Sequence, residues 1–461
     1  MSVSSSHNAN FFLKGAIPLL FVKTAAPIIL VMGMNGLFTV VDAYFLGIYV
    51  GGKALTAVTL MFPLYMLLVA LSTLVTTGFA SIYSLLLGAG ESVRAARVFA
   101  EAVQLSLLVC LMLMVFFLAS GHPLTLEIAN GEPELAALGY RYISILIFCS
   151  PLVFLLAINT NALRSEGRLS AMAGVTLFSA LLNIFYDYLF IARFGWGVGG
   201  SAWGTILAQA CALGVLFLYL KLSKGNRPHI SLFAVSRRHW RELLVLGAPS
   251  SLGYIGLSLT AGLTLYCLQR WAGNSYTATA GAYGIITRLM TFSFLPLLGL
   301  SMAFQTIAGN NFGARHFLRS NRALGTAIAA AFLYCLTVEA LFLTFHSGIG
   351  LIFVSDEAIV SEVARILPYS VATMIIFGPM MIIGSYFQAI GDAPRAGILG
   401  LSRTYLFALP LTFLLPFLFG EVGIWYAGIV AELLVLLLTF LVLARRWRTG
   451  GYRWGLLEGV V

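Results

Sequence analysis

The sequence predicts an all-α membrane protein: twelve transmembrane helices arranged as two parallel repeats of six. Three observations carry that reading. Only 10% of the 461 residues are charged, while 60% are hydrophobic. Apolar runs long enough to cross a bilayer recur along the whole chain. Landmarks in the first half return in the second half at a nearly constant distance.

A soluble domain carries about 25% charged residues. This chain, with a mean hydropathy of +0.95, has too few charges to cover a water-facing surface. A crossing helix needs about 20 apolar residues. Runs of that kind lie at 17–48, 55–87, 97–119, 138–160, 170–192, 198–222, 242–270, 280–311, 322–345, 364–389, 396–419 and 422–446. They use nearly the whole chain, so no separate soluble domain is expected. Met1–Asn10 is polar and rich in Ser and Asn, and reads as a tail. The first apolar run is too long for a signal-peptide core and is expected to stay in the membrane.

The net charge of +10 does not point to nucleic acid, because most Lys and Arg residues flank apolar runs. Placing the N-terminus in the cytoplasm puts twenty-one of them on that side. Five fall outside (Lys53, Arg141, Arg193, Arg270 and Arg365), and Arg288 lies within a span. That bias follows the positive-inside rule and predicts an inner-membrane protein with both termini in the cytoplasm. The five cysteines, Cys110, Cys149, Cys211, Cys267 and Cys335, sit inside apolar runs without CxxC spacing. Neither disulfides nor zinc are expected from them.

The duplication rests on paired landmarks. Pro27 and Pro249 are 222 apart, Gly88 and Gly313 are 225 apart, and Gly167 and Gly391 are 224 apart. Val198, Gly199 and Gly204 match Val422, Gly423 and Gly428, also at 224. Six spans return the chain to its starting side, so the halves run in the same sense, as parallel repeats. The expected division is an N-lobe at 1–225, a basic cytoplasmic linker at 226–241 and a C-lobe at 242–461. Two lobes of this kind suggest a cleft and alternating access.

Charged groups at membrane depth cost about 2.5–3.5 kcal/mol on insertion scales, so each needs a reason to be there. Asp42 lies near the far end of the first run, 15 residues after Pro27. Pro27, Gly33 and Gly36 make that helix easy to bend. Asp187 sits in "NIFYDYLF", and Asn183, one helical turn earlier, shares its face. The sixth run opens with "GWGVGGSAWGT", closed by Thr205. Two carboxylates, an amide and a hydroxyl supply only oxygen, which suits a hard cation such as Na⁺. Two neighbouring carboxylates also suit a shared proton. The second half lacks equivalents: Leu411 and Phe407 stand where the repeat would place Asp187 and Asn183.

These segments, with the "LRSEG" turn (Leu163–Gly167) and the paired "GAG" and "FGAR" turns, resemble the multidrug and toxic compound extrusion (MATE) family over nearly the full length. The resemblance implies a V-shaped pair of six-helix bundles. It implies secondary export of amphipathic, often cationic compounds in antiport with Na⁺ or H⁺, with no other cofactor. It carries a cation site to Asp42, Asn183, Asp187 and Thr205. Spans seven and ten contain no acid, which favours the DinF-like branch, where the first lobe does the coupling.

Tyr44, Tyr142, Asn159, Asn161 and Arg288 are candidate substrate contacts, and either asparagine could reach Asp42. Glu339 and Glu432 read as structural contacts between helices. The expected partners are small amphipathic substrates and membrane lipids, with the chain acting as a monomer. A flippase for lipid-linked precursors is the alternative, but it would need several cationic side chains along a cleft. "GIYVGGKA" (Gly47–Ala54) falls short of a phosphate-binding loop, because Ala54 stands where Ser or Thr is needed. "AIGD", ending at Asp392, lacks the first glycine of an intramembrane aspartyl protease motif.

Overall fold

The computed structural model describes residues 10–129, 131–223, 237–354 and 356–450. Residues 1–9 of the expected tail, 226–236 of the expected linker and the final residues 451–461 lie outside the described residues. Every element among the described residues is helical. Ten helices are long and apolar enough to cross a membrane, and two bent helix pairs bring the number to twelve. In chain order the spans are α1 (Ile17–Val50), α2 (Phe62–Gly88), α3 (Ser92–Ile128), α4 (Pro133–Phe148 with Ser150–Ser165), α5 (Leu169–Arg193) and α6 (Val198–Leu222). Then follow α7 (Trp240–Trp271), α8 (Gly273–Gly313), α9 (Phe317–Ile352), α10 (Glu357–Val371 with Met374–Ala389), α11 (Ala393–Phe419) and α12 (Val422–Arg445).

The second apolar run, expected as one span at 55–87, is divided. A short helix, Gly52–Leu60, precedes α2 and is separated from it at Met61. Pro63 explains the restart, because a proline in the first turn of a helix sacrifices only an amide that would be free anyway. The two bent spans are repeat partners. α4 breaks by 49° at Cys149, just before Pro151, and α10 breaks by 44° at Ala372 and Thr373. Cys149 and Thr373 are 224 apart, the offset of the other landmarks. In α10 the opened backbone has a partner: the Ile375 amide donates to Glu339 Oε2 of α9 at 2.8 Å. This contact gives Glu339 a structural role, as a cap on a helix start buried in the span.

The described chain forms two compact units. The first holds Leu30–Ser251 together with the segment ending at Lys14. The second holds Gly15–Ile29 and the chain from Leu252 onward. The leading part of α7 therefore belongs with the first unit, and the leading part of α1 with the second. Each helix passes from one unit to the other two residues beyond its proline, Pro27 or Pro249.

In the first unit, α7 is held against α2 by two glycines. A Cβ on Gly78 would strike the Leu243 carbonyl, and one on Gly247 would strike the Leu74 carbonyl. Lipid tails are as apolar as Leu, so close backbone approach of this kind, rather than a hydrophobic drive, holds membrane helices together. The start of α7 is also tied to α3, where Glu101 Oε2 accepts from the His239 amide at 2.8 Å. In the second unit, Arg319 Nη1 donates to the Gly15 carbonyl at 2.9 Å and anchors the start of α1. Arg365 pairs with Glu362 at 2.6 Å and Glu421 at 2.5 Å, linking α10 to the turn that leads into α12. Leu433, Leu437, Phe440 and Leu441 of α12 are exposed at helical spacing, the pattern of a face turned to lipid.

Candidate functional site

The first unit gathers four polar side chains from three spans. Asp187 closes the α-helical part of α5, and the turn after it widens to a π-helix over Tyr188–Arg193. Asp187 and Asn183 are buried, at 0% and 3% exposure. α6 starts after Gly197, and its first turns are built from small residues. Gly204 faces the acid, where a Cβ would lie 2.7 Å from Asp187 Oδ1. Only glycine leaves the carboxylate this space.

Thr205, the next residue, meets Asn183. The Asn183 amide satisfies its surroundings when its nitrogen donates to Asp187 Oδ2 at 3.3 Å. Its oxygen then accepts from the Thr205 amide at 3.2 Å and from Thr205 Oγ1 at 3.1 Å. Asp42 arrives from α1, and Ser201 Oγ donates to its Oδ1 at 2.6 Å. Ser201 lies one helical turn before Thr205, so α6 offers both hydroxyls on one face. The two acids lie within electrostatic range of each other, and Tyr142 of α4 lies within range of both.

Asp187 Oδ1 is buried without a hydrogen-bond partner among the described residues. No Lys or Arg pairs with either acid there. Two carboxylates without a counter-cation in a low-dielectric bundle repel each other and are poorly solvated. The carboxylates and the hydroxyls offer oxygen, Asn183 turns its amide nitrogen to Asp187 Oδ2, and Asp187 Oδ1 is left unspent. This arrangement fits a small hard cation or a proton.

The other candidates are placed as follows. Tyr142 packs against the cluster of Leu46, Ala54, Ile191 and Val198. Tyr44 is exposed, with its ring edge on Phe45. Asn159 and Asn161 are not brought to Asp42: their amides donate to the Leu155 and Ala157 carbonyls of their own helix, each at 2.8 Å. Arg288 is exposed on α8, in the second unit, and makes no ion pair among the described residues. Pro27 lies inside α1. Gly33 has open space where a Cβ would be, and Gly36 follows one turn later on the same helix. Ser201 was not among the expected site residues. Its signal was present, three residues before Gly204 and four before Thr205 in the glycine-rich opening of α6.

Two basic residues expected on the cytoplasmic flank fall within the span helices. Arg164 is fully buried at the end of α4, with Nε and Nη1 unpartnered among the described residues. Arg403 lies ten residues into α11 and pairs with Glu432 of α12.

Twelve spans in two units, with a buried Asp187 and a half-buried Asp42 in one of them, define a polytopic membrane transporter. The family model MatE matches residues 27–189 and 269–414, more than half of the chain, and the protein belongs to that family of MATE multidrug efflux transporters. It is not an enzyme, so the protease reading falls. The chain is 26% identical over 434 residues to the multidrug export protein MepA of Staphylococcus aureus, and the match covers 94% of each chain. Its fold is similar to that of a MATE protein in the bent conformation, at a TM-score of 0.85 and 22% identity over 93% of this chain and 95% of the other. It is also similar to a MOP superfamily transporter from Pyrococcus furiosus, at 0.87 and 22% over 97% and 99%.

Proposed function

We propose that this protein exports amphipathic, cationic compounds across the inner membrane in antiport with Na⁺ or H⁺. Asp42 and Asp187 share the coupling ion, while Asn183 and Thr205 orient the site. The observation that carries the reading is the unpartnered Oδ1 of Asp187, buried within range of a second carboxylate. A cation or proton relieves that repulsion. The helix carrying Asp42 has a soft point at Pro27, Gly33 and Gly36, so relief is expressed as a change of bend. MepA, which is similar over 94% of both chains, is described as a multidrug exporter, and this supports the substrate class.

In this reading the two lobes, 1–225 and 242–461, are the transport units, joined by the linker at 226–241, and the chain works as a monomer among lipids. Both termini face the cytoplasm. Tyr44, Tyr142 and Arg288 meet substrate; Asn159 and Asn161, held by their own helix, contribute their free carbonyl oxygens. Moving one charge through 100 mV supplies about 2.3 kcal/mol, to which a concentration gradient adds.

The test is reconstitution in proteoliposomes with a fluorescent cationic dye and separately imposed Na⁺ and pH gradients. Dye export should follow one of the two gradients and vanish in Asp187→Asn. Export that ignores both gradients, or survives in Asp187→Asn, sinks the proposal.

A further inference from the structure

The second unit carries a charged pair of its own inside its spans. Arg403 and Glu432 each lie ten residues into their span, α11 from Ala393 and α12 from Val422. At 1.5 Å per residue that is about 15 Å in from the first residue of each span, well inside both helices. The N-lobe positions that the repeat offset of 224 matches to them are Ser179 and Ala208, so the pair is not part of the duplicated scaffold.

Its geometry is that of a receptor rather than a closed structural bridge. Glu432 is buried, at 4% exposure, and is bonded to a single guanidinium edge, Arg403 Nε. The guanidinium carbon lies 4.1 Å from the centroid of the Phe377 ring on α10. Nε and one face are thus fixed by Glu432 and Phe377. The four N–H donors on Nη1 and Nη2 meet no protein acceptor among the described residues, and the Arg403 side chain is 45% exposed. Glu432 takes the guanidinium through its Nε edge, which leaves the fork of terminal nitrogens able to take a second carboxylate. The backbone carrying Arg403 is a π-helix, Ser402–Ala408, a widening often found where a side chain is re-aimed for function.

We propose that Arg403 is an anion-recognition site that takes the carboxylate of an amphipathic aromatic compound. The free fork accepts both carboxylate oxygens, and the Phe377 ring beside it meets the aromatic body. Glu432, buried behind the guanidinium, holds the fork in place without meeting the ligand. The protein then accepts zwitterions and organic anions as well as cations. This deepens the export reading, and its binding arm stands apart from it.

The probes are two xanthene dyes of one scaffold, a rhodamine with a free carboxylate and its methyl ester. Equilibrium binding to the full-length protein in micelles is followed by fluorescence polarisation. Arg403→Met should weaken the acid at least ten-fold and the ester less than two-fold. Arg403→Lys keeps the charge but loses the fork, and should fall between. Because Arg403→Met leaves a buried carboxylate alone, Arg403→Met with Glu432→Met is measured beside it, with the same expected split between the dyes. No binding of the acid to the wild type, unchanged acid affinity in both Met variants, or equal loss for acid and ester would each overturn the proposal. Export of the ester by wild-type proteoliposomes reads the transporter itself; its absence would count against export and leave the binding result standing.

Discussion

Gly204 decides how closely α6 can approach Asp187. A methyl group there would sit 2.7 Å from Oδ1, in the space a coupling ion would share. Overpacking of this kind costs about 1–3 kcal/mol. Gly204→Ala should therefore lower ion-driven dye export about ten-fold while the protein still inserts and folds. The check is efflux per inserted molecule, with thermal stability measured alongside; unchanged efflux would mean that the space beside Oδ1 has no role. At this scale the residue types were legible in the sequence. Asp42, Asn183, Asp187 and Thr205 stand out because charge and amide are rare in apolar runs. Ser201 did not, because a hydroxyl in a span is commonly satisfied by its own backbone, as Thr76 and Thr176 are here. Its bond to Asp42 joins positions 159 apart, and no local pattern announces that. The pairing of Arg403 with Glu432 was hidden for the same reason, and the sequence expectation left Arg403 on the flank.

Helices α2 and α7 cross with so little space that Gly78 and Gly247 each lie against a facing carbonyl. Gly78→Ala should force the crossing open and cost about 1–3 kcal/mol, read as a lower melting temperature of the purified protein. Gly174→Ala on α5, where a Cβ meets nothing within 4 Å, serves as the control and should be neutral or slightly stabilising. Equal effects of the two substitutions would refute the crossing argument. Spans were legible at this scale because hydropathy is summed over many residues. The breaks were not, because they depend on single residues. Pro151 after Cys149 was a visible signal, whereas α10 breaks at Ala372 and Thr373 with its nearest proline, Pro368, inside the preceding segment. The cap from Glu339, 36 positions away, makes that break affordable.

Across the whole molecule, the repeat is written in turns as much as in spans. Gly90 and Arg315, 225 apart, both take the left-handed conformation that ends a helix, at φ of 75° and 60°. The duplication thus kept the turn even where the glycine was lost. In the proposed topology, six spans per repeat and the positive-inside bias would put both termini on the cytoplasmic side. A reporter fused after Val461 should be active only in its cytoplasmic form; an active periplasmic form would overturn the span count and the parallel repeat together.

The central claim is that Asp42 and Asp187 hold the coupling ion and that its binding weakens the hold on cationic substrate. Equilibrium binding of a cationic dye, measured at several pH and Na⁺ values, tests it most directly. In the wild type, dye affinity should fall as the site fills with H⁺ or Na⁺, and in Asp42→Asn that dependence should disappear. An Asp42→Asn protein that binds dye with the wild-type dependence on pH and Na⁺ would contradict the claim, even if export itself were intact.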